Sequence, residues 1–309
     1  MDLLFLSEVV ISGLMAGVMY SLVALGFVLI FKASGVFNFA QGVMCLFAAL
    51  ALYDFLSPEG WFAAVFGFTL PVWLAVIMTI GVMVLLAMAI EYFVLRHLVN
   101  QEPIILFMAT IGLAYFLEGM GDILFGSDVK VLELGIPQGA ADALLDGYGL
   151  YVEKLEIVAA VTAATLVTVL AIFFQKTRVG RALRAVADDH QAALSVGISL
   201  RSIWVVVWAV AGIVALVAGI MWGSKTGVQF SLTLIALKAL PVLILGGFTS
   251  IPGAIIGGLI IGVGEKVAEV YWGPAVGGAI ENWFAYILAL TFLLFRPQGL
   301  FGEKIIERV

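Results

Sequence analysis

Lys238 lies in the middle of the apolar run 232–245, LTLIALKALPVLIL, too far from either end for its ammonium to reach a membrane surface easily. A charge at the centre of such a run costs about 3 kcal/mol unless it is paired or hydrated. Glu265, Lys266 and Glu269 cluster in the next apolar run, and Glu281 opens the last. Two readings follow: Lys238 pairs with one of these acids inside a helix bundle as a packing element, or it borders a solute route. Asn38 and Gln41 raise the same question. They fall in Gly35-Val36-Phe37-Asn38-Phe39-Ala40-Gln41-Gly42, where two glycines and two side-chain amides interrupt an otherwise apolar helix pattern. A break at membrane depth is tolerated only where it is buried in protein or lines a wet cavity. The amides are therefore candidate pathway residues, with an ordinary turn between two helices as the other reading.

The second place where residue types and spacing suggest a task is 176–201, KTRVGRALRAVADDHQAALSVGISLR, which holds five of the fifteen Lys and Arg residues. Leu183, Val186 and Ala187 fall at i, i+3 and i+4, so one helix face is apolar while Arg181, Arg184 and Asp188 lie off it. A second short helix is expected to follow, with Asp188 at its N-cap, Gln191 three residues on and Gly197 at its C-terminal stop. Such an insert between apolar runs is either a docking surface or a positive-inside anchor that fixes topology; in both cases its charge places it at the cytoplasmic face.

Other chemistry lacks its residues. The two histidines, His97 and His190, form no metal spacing, and Cys45 is the only cysteine, so neither a zinc cluster nor an intrachain disulfide is expected. No HExxH and no Ser/His/Asp set can be assembled. Gly219-Ile220-Met221-Trp222-Gly223-Ser224-Lys225-Thr226 imitates a phosphate-binding loop, but Ser224 replaces the second glycine and no strand precedes it. Nucleotide hydrolysis is not encoded, no cofactor is expected, and neither is a nucleic-acid partner.

The elements that must position these residues are membrane helices. Of 309 residues, 63% are hydrophobic and 12% charged, and the mean hydropathy is +1.18. Several apolar runs reach the roughly 20 residues that a spanning helix needs, and the short alternating segments of a β-barrel are missing. The expected fold is an all-α, polytopic transmembrane bundle, a single domain over 1–309. About nine apolar runs imply roughly eight to ten spans, with the N-terminus outside and the C-terminus, which carries Lys304 and Arg308, inside. Asp2 and Glu8 with no basic residue argue against a cleavable leader. Pro71 should divide 61–95 into a short interfacial piece and one full span, and 223–230 should turn. Residues 246–253 form a second break. Gly253 with Gly257, and Gly258 with Gly262, form two small-xxx-small pairs that mark a close-packing face. The segment 126–156, six acids against two bases, is the one long hydrophilic loop on the outer face.

These pieces resemble a known family, the permease subunits of branched-chain amino-acid ABC importers, of the LivH type. The motif 35–42 carries the resemblance, together with Gly180-Arg181-Ala182-Leu183-Arg184-Ala185-Val186-Ala187 and the following Gly197-Ile198. So do 245–258, LGGFTSIPGAIIGG, and Arg296-Pro297-Gln298-Gly299-Leu300-Phe301-Gly302. They occur in the family's order over nearly the whole chain. Related permeases also serve urea, amides and other amino acids, so the solute stays open. The resemblance implies a bacterial or archaeal inner-membrane protein working with a second permease subunit (a homologous chain or a second copy), two cytoplasmic ATPases and an extracytoplasmic solute-binding protein. It also implies that Gly180, Arg181, Arg184, Asp188 and Gly197 belong to the element that couples to the ATPase, and that Asn38 and Gln41 border the pathway. The binding protein would dock over the acidic 126–156 loop. A stand-alone secondary transporter or channel is the rival, since the breaks at 35–42 and 246–253 could flank a midplane site. An intramembrane enzyme has no catalytic constellation to offer.

Overall fold

The computed structural model describes residues 3–98, 101–188 and 190–302. Its helices, in chain order, are α1 (Leu3–Ser34), α2 (Gln41–Leu56), α3 (Trp61–Phe66), α4 (Val72–Phe93), α5 (Pro103–Phe125), α6 (Asp142–Tyr148) and α7 (Lys154–Lys176). They continue with α8 (Arg178–Asp188), α9 (His190–Ser195), α10 (Leu200–Thr226), α11 (Ile235–Gly246), α12 (Ile251–Val276) and α13 (Glu281–Phe295). Short 3-10 turns occupy Leu95–His97 and Phe230–Leu234. Among the described residues there is no strand, only the isolated bridges Lys130 with Val228 and Ala140 with Glu153. Among the described residues, seven stretches are long and apolar enough to cross a membrane, and Phe230–Gly246 and Glu281–Phe295 are shorter apolar helices. The chain is a polytopic membrane protein built as a helical bundle.

Local chemistry explains the boundaries. The chain is non-helical over 35–40 and 247–250, the two breaks expected from their glycines. Pro71 does divide the 61–95 tract: it stands in extended conformation at the N-cap of α4, and α3 is a separate turn and a half. The Asp54 carboxylate caps α3 by accepting from the backbone N–H groups of Trp61 at 2.6 Å and Phe62 at 3.1 Å. One boundary is corrected. The turn expected from 223 is helical through Thr226, whose hydroxyl donates to the Trp222 carbonyl at 3.0 Å, and the stop comes only at Gly227.

The described residues fall into two compact units. One comprises Met1–Val28, Gly135–Thr165 and Ile235–Val309. Inside it, Gly13 and Gly17 of α1 lie so close to α12 that a Cβ on Gly17 would collide with the Gly258 carbonyl, and one on Gly262 with the Gly13 carbonyl. The hydroxyl of Ser21 donates to the Ala254 carbonyl across the same seam, at 3.1 Å. α11 approaches α12 just as closely, since a Cβ on Gly253 would meet the Gly246 carbonyl and one on Gly257 the Val242 carbonyl, 2.6 Å away. The expected glycine face is thus used on two sides. The chain after α13 returns to seal the break: Leu300 N–H donates to Leu245 O at 2.8 Å and Phe301 N–H to Gly246 O at 3.2 Å. Gly247 has φ +97° and a Cβ there would lie 2.7 Å from the Gly302 nitrogen, so both conformation and space require glycine.

The other unit comprises Leu29–Leu134 and Leu166–Leu234. Its centre is α2, buried over most of its surface by α4, α5, α10 and the 3-10 turn at Phe230–Leu234. Gly219 lets α10 touch the Cys45 carbonyl, and Gly212 leaves 3.1 Å between its would-be Cβ and Met83.

Because overpacking a seam of this kind costs roughly 1–3 kcal/mol or more, Gly258→Val and Gly262→Val should each lower the thermal stability of the detergent-purified protein by several degrees. Gly119→Ala on α5, where nothing lies within 4 Å of the added carbon, should leave it unchanged. Melting curves of the three variants by fluorescence-detected size exclusion check this.

Candidate functional site

The basic connector is two helices, as its pattern required. Thr177 separates α7 from α8 and caps α8, its Oγ1 accepting from the Gly180 backbone N–H at 2.9 Å while donating to the Phe173 carbonyl at 2.7 Å. A Cβ on Gly180 would collide with the carbonyls of Phe173 and Phe174, so this glycine sets the angle at which the connector leaves α7. Leu183 and Val186 are buried, whereas Arg178, Arg181 and Arg184 are exposed. α8 packs on α9 and on α10. α9 ends as expected at Gly197, φ +84°, with Gly197 N–H donating to Leu194 O and Ile198 N–H to Ala193 O, both at 3.0 Å. That bond pair is the Schellman closure. Asp188, expected as the N-cap of α9, is instead the last residue of α8, and α9 starts at His190; the side chains of Asp188 and Gln191 lie outside the described residues, as do Lys304 and Arg308. The result is a short, capped, amphipathic pair that buries one face within its own unit and presents guanidinium groups on the other.

Asn38 and Gln41 are both fully buried. Asn38 forms a local turn, with Oδ1 accepting from the Ala40 N–H at 3.1 Å and Nδ2 directed at Met44 Sδ at 3.6 Å. The Gln41 side chain makes a 3.5 Å contact from Nε2 to the Ala211 carbonyl, and its Oε1 has no partner. The break itself is pinned by Thr110 of α5. Its hydroxyl accepts from the Phe39 N–H at 3.0 Å and lies 2.8 Å from Phe107 O and 3.3 Å from Phe37 O. No sequence signal connects residues so far apart.

Lys238 pairs. Its Nζ lies 2.7 Å from Glu265 Oε1 and 3.8 Å from Glu281 Oε1, and Lys266 completes the set at 3.2 Å from Glu281 Oε2. The Glu265 side chain is 2% exposed, and the Tyr20 hydroxyl donates to it at 3.2 Å. Glu269 takes another role: it accepts from the Ala279 N–H at 3.0 Å and the Glu281 N–H at 2.9 Å, capping the entry to α13 from a neighbouring helix. The structure therefore brings Lys238 together with three of the acidic and basic residues in the later runs, inside one unit, and places Asn38 and Gln41 in the other. No cluster of three or more His, Cys, Asp or Glu able to hold a metal occurs among the described residues.

In the 126–156 loop Asp128, Glu133, Asp142 and Asp146 are exposed. Lys154 Nζ sits 2.8 Å from Asp142 and holds that carboxyl below its ordinary value. Its folded pKa being depressed, this tie is present at neutral pH and is lost as pH falls through the carboxylate range.

Removing one partner of a buried ion pair strands the other, at a cost of about 3–5 kcal/mol, whereas removing both can be nearly neutral. Lys238→Met and Glu265→Gln should each destabilise the protein strongly, and the double variant should recover much of the loss. A double-mutant cycle on melting temperature reads this coupling; additive losses would mean that the pair contributes nothing to packing.

Comparison with known proteins bears on the family of the chain. Residues 9–296 match the family model described as "Branched-chain amino acid transport system / permease component". The high-affinity branched-chain amino acid transport system permease protein BraD of Pseudomonas aeruginosa is 27% identical over 304 residues, covering 97% of this chain and 96% of its own. The corresponding LivH protein of Escherichia coli K12 is 25% identical over 319 residues, covering 99% and 98%. A probable LivH of Methanocaldococcus jannaschii is 28% identical, covering 91% and 88%. Among solved structures, PsaBC from Streptococcus pneumoniae in complex with Fab aligns over 92% of this chain and 89% of its own, at 16% identity and a TM-score of 0.45. The match over almost the full length settles the assignment: the chain belongs to the family of permease components of branched-chain amino acid transport systems.

Proposed function

We propose that this chain is the membrane-embedded permease subunit of an ATP-driven importer of branched-chain or closely related amino acids, working as one permease domain. The observation that carries the proposal is the α8–α9 connector. It is a capped, amphipathic, arginine-bearing pair placed between two long apolar helices. The names of the relatives, high-affinity branched-chain amino acid permeases, support the solute class. The basic connector sits on the cytoplasmic side in this reading, and the acidic loop on the opposite side.

Gly180, Arg181, Arg184, Asp188 and Gly197 then form the element seated in a groove of one of the two cytoplasmic ATPases. ATP-driven closure of those subunits moves the pair as a lever, because Thr177, Gly180 and the Schellman closure fix it to its flanking helices. A second permease, either a homologous chain or a copy of this one, supplies the other half of the route. Gln41 borders that route, its unpartnered Oε1 being the polar atom available to water or solute when the bundle changes state. Lys238 borders it as well, from within its ion network. A solute-binding protein docks over the exposed acids of 126–156 by charge complementarity.

Gly197→Val forces a branched side chain into a left-handed conformation and should loosen α9, while Arg184→Glu reverses a docking charge. In the assembled importer both should leave membrane insertion intact, retain ATP hydrolysis and cut uptake per ATP at least tenfold. Normal uptake by both variants would refute the lever. Asp128→Lys with Glu133→Lys and Asp146→Lys should lower the stimulation of ATPase activity by the binding protein severalfold, and the loss should shrink as salt is raised. Unchanged stimulation would leave the loop with no docking role.

A further inference from the structure

The geometry points to a binding site for one anionic phospholipid at the α4–α10 end, with its headgroup on Arg201. Glu91, in the last turn of α4, is buried to 2% exposure and is shared by two guanidiniums: Arg96 Nη2 at 3.5 Å and Arg201 Nε at 3.3 Å. One carboxylate neutralises one of them, so the trio keeps a single positive charge. The two arginines are not equivalent. Arg96 lies 4.0 Å above the Tyr92 ring, and its Nε and Nη2 are shut away from solvent. Arg201 is 63% exposed and engages Glu91 only through Nε, so its terminal nitrogens point the surplus charge outward.

Arg201 and Ser202, with Tyr92 and the Glu91 carboxylate that Arg201 partly neutralises, give the polar lining of a groove of about 580 Å³ between α4 and α10, whose apolar wall includes Met88, Phe93 and Val205. Across Ala89 and Phe93, which both grooves share, a second groove of about 460 Å³ runs between α4 and α5 past Ile90, Leu113 and Phe116. Gly112 opens it, because nothing lies within 4 Å of the carbon it lacks. The second groove runs along α5 from Ala109 to Leu117, roughly 12 Å at 1.5 Å per residue, close to the depth of one leaflet of a ~30 Å hydrocarbon core.

A phosphate fits the guanidinium and hydroxyl rim, and two acyl chains fit the two grooves that flank Phe93. A free anion would use the rim and leave both grooves empty. A basic pocket opening on apolar channels at the ends of spanning helices is the arrangement that anionic headgroups select. With the connector facing the cytoplasm, as proposed above, this site lies in the inner leaflet.

Native mass spectrometry of the full-length chain, released from detergent after equilibration with phosphatidylglycerol or phosphatidylcholine, tests this. One phosphatidylglycerol should be retained at least about fivefold more than phosphatidylcholine, the effect of one basic residue at a membrane surface. Arg201→Gln should abolish that preference and Arg201→Lys should keep most of it, while Arg296→Gln, at an exposed arginine after α13, should not change it. Gly112→Leu should lower retention of both lipids by filling the second groove. Equal retention of the two lipids, an Arg296→Gln loss as large as that of Arg201→Gln, or displacement of the lipid by millimolar inorganic phosphate would overturn the assignment.

Discussion

Inside a bilayer, lipid tails are as apolar as leucine, so burial of apolar surface gives helices no reason to prefer one another. Everything that fixes this chain follows from that constraint. Helices must approach until backbones touch, which explains the glycines of α1, α11 and α12, or they must exchange polar contacts that lipid cannot supply. Ser21 on the Ala254 carbonyl, Lys238 on Glu265 and Thr110 on the 35–40 break are such contacts. Each adds about 1 kcal/mol or less, while leaving its group unpaired in hydrocarbon would cost more.

The connector obeys the opposite rule. α8 is the helix whose apolar and charged residues separate cleanly onto two faces, as a helix lying at a water boundary requires. Thr177 caps the start of α8, Gly197 closes α9, and a Cβ on Gly180 would collide with the end of α7. In the importer proposed above, a handle outside the hydrocarbon, joined to closely packed helices, would transmit a push as a change between packing states rather than a diffuse deformation.

Sequence made much of this legible. Composition set the class, glycine spacing marked the seam on α12, and the period of Leu183 and Val186 against the arginines fixed the connector. Local chemistry was enough wherever the partners lie within one turn, as with Pro71 and Gly197. It failed where partners come from remote helices. Nothing in the run around Thr110 announces that its hydroxyl holds a break 71 residues earlier, and nothing marks Asp54 as the cap of α3. Lys238 was visible as an anomaly because a charge stands out in an apolar run, but three acids were equally eligible as its partner. Only the antiparallel packing of α11 on α12 selects Glu265 as the 2.7 Å neighbour. The buried Glu91 went unnoticed because it sits at a helix end, where charges are unremarkable.

The central claim is that this chain supplies the route and the handle while separate subunits supply the energy. Amino-acid accumulation in reconstituted vesicles tests it most directly. Vesicles holding this chain alone, given an ion gradient and external leucine, should show no accumulation, and uptake should appear only when the partner permease, the ATPases with ATP and the binding protein are all present. Concentrative, nucleotide-independent uptake by this chain alone would contradict the account.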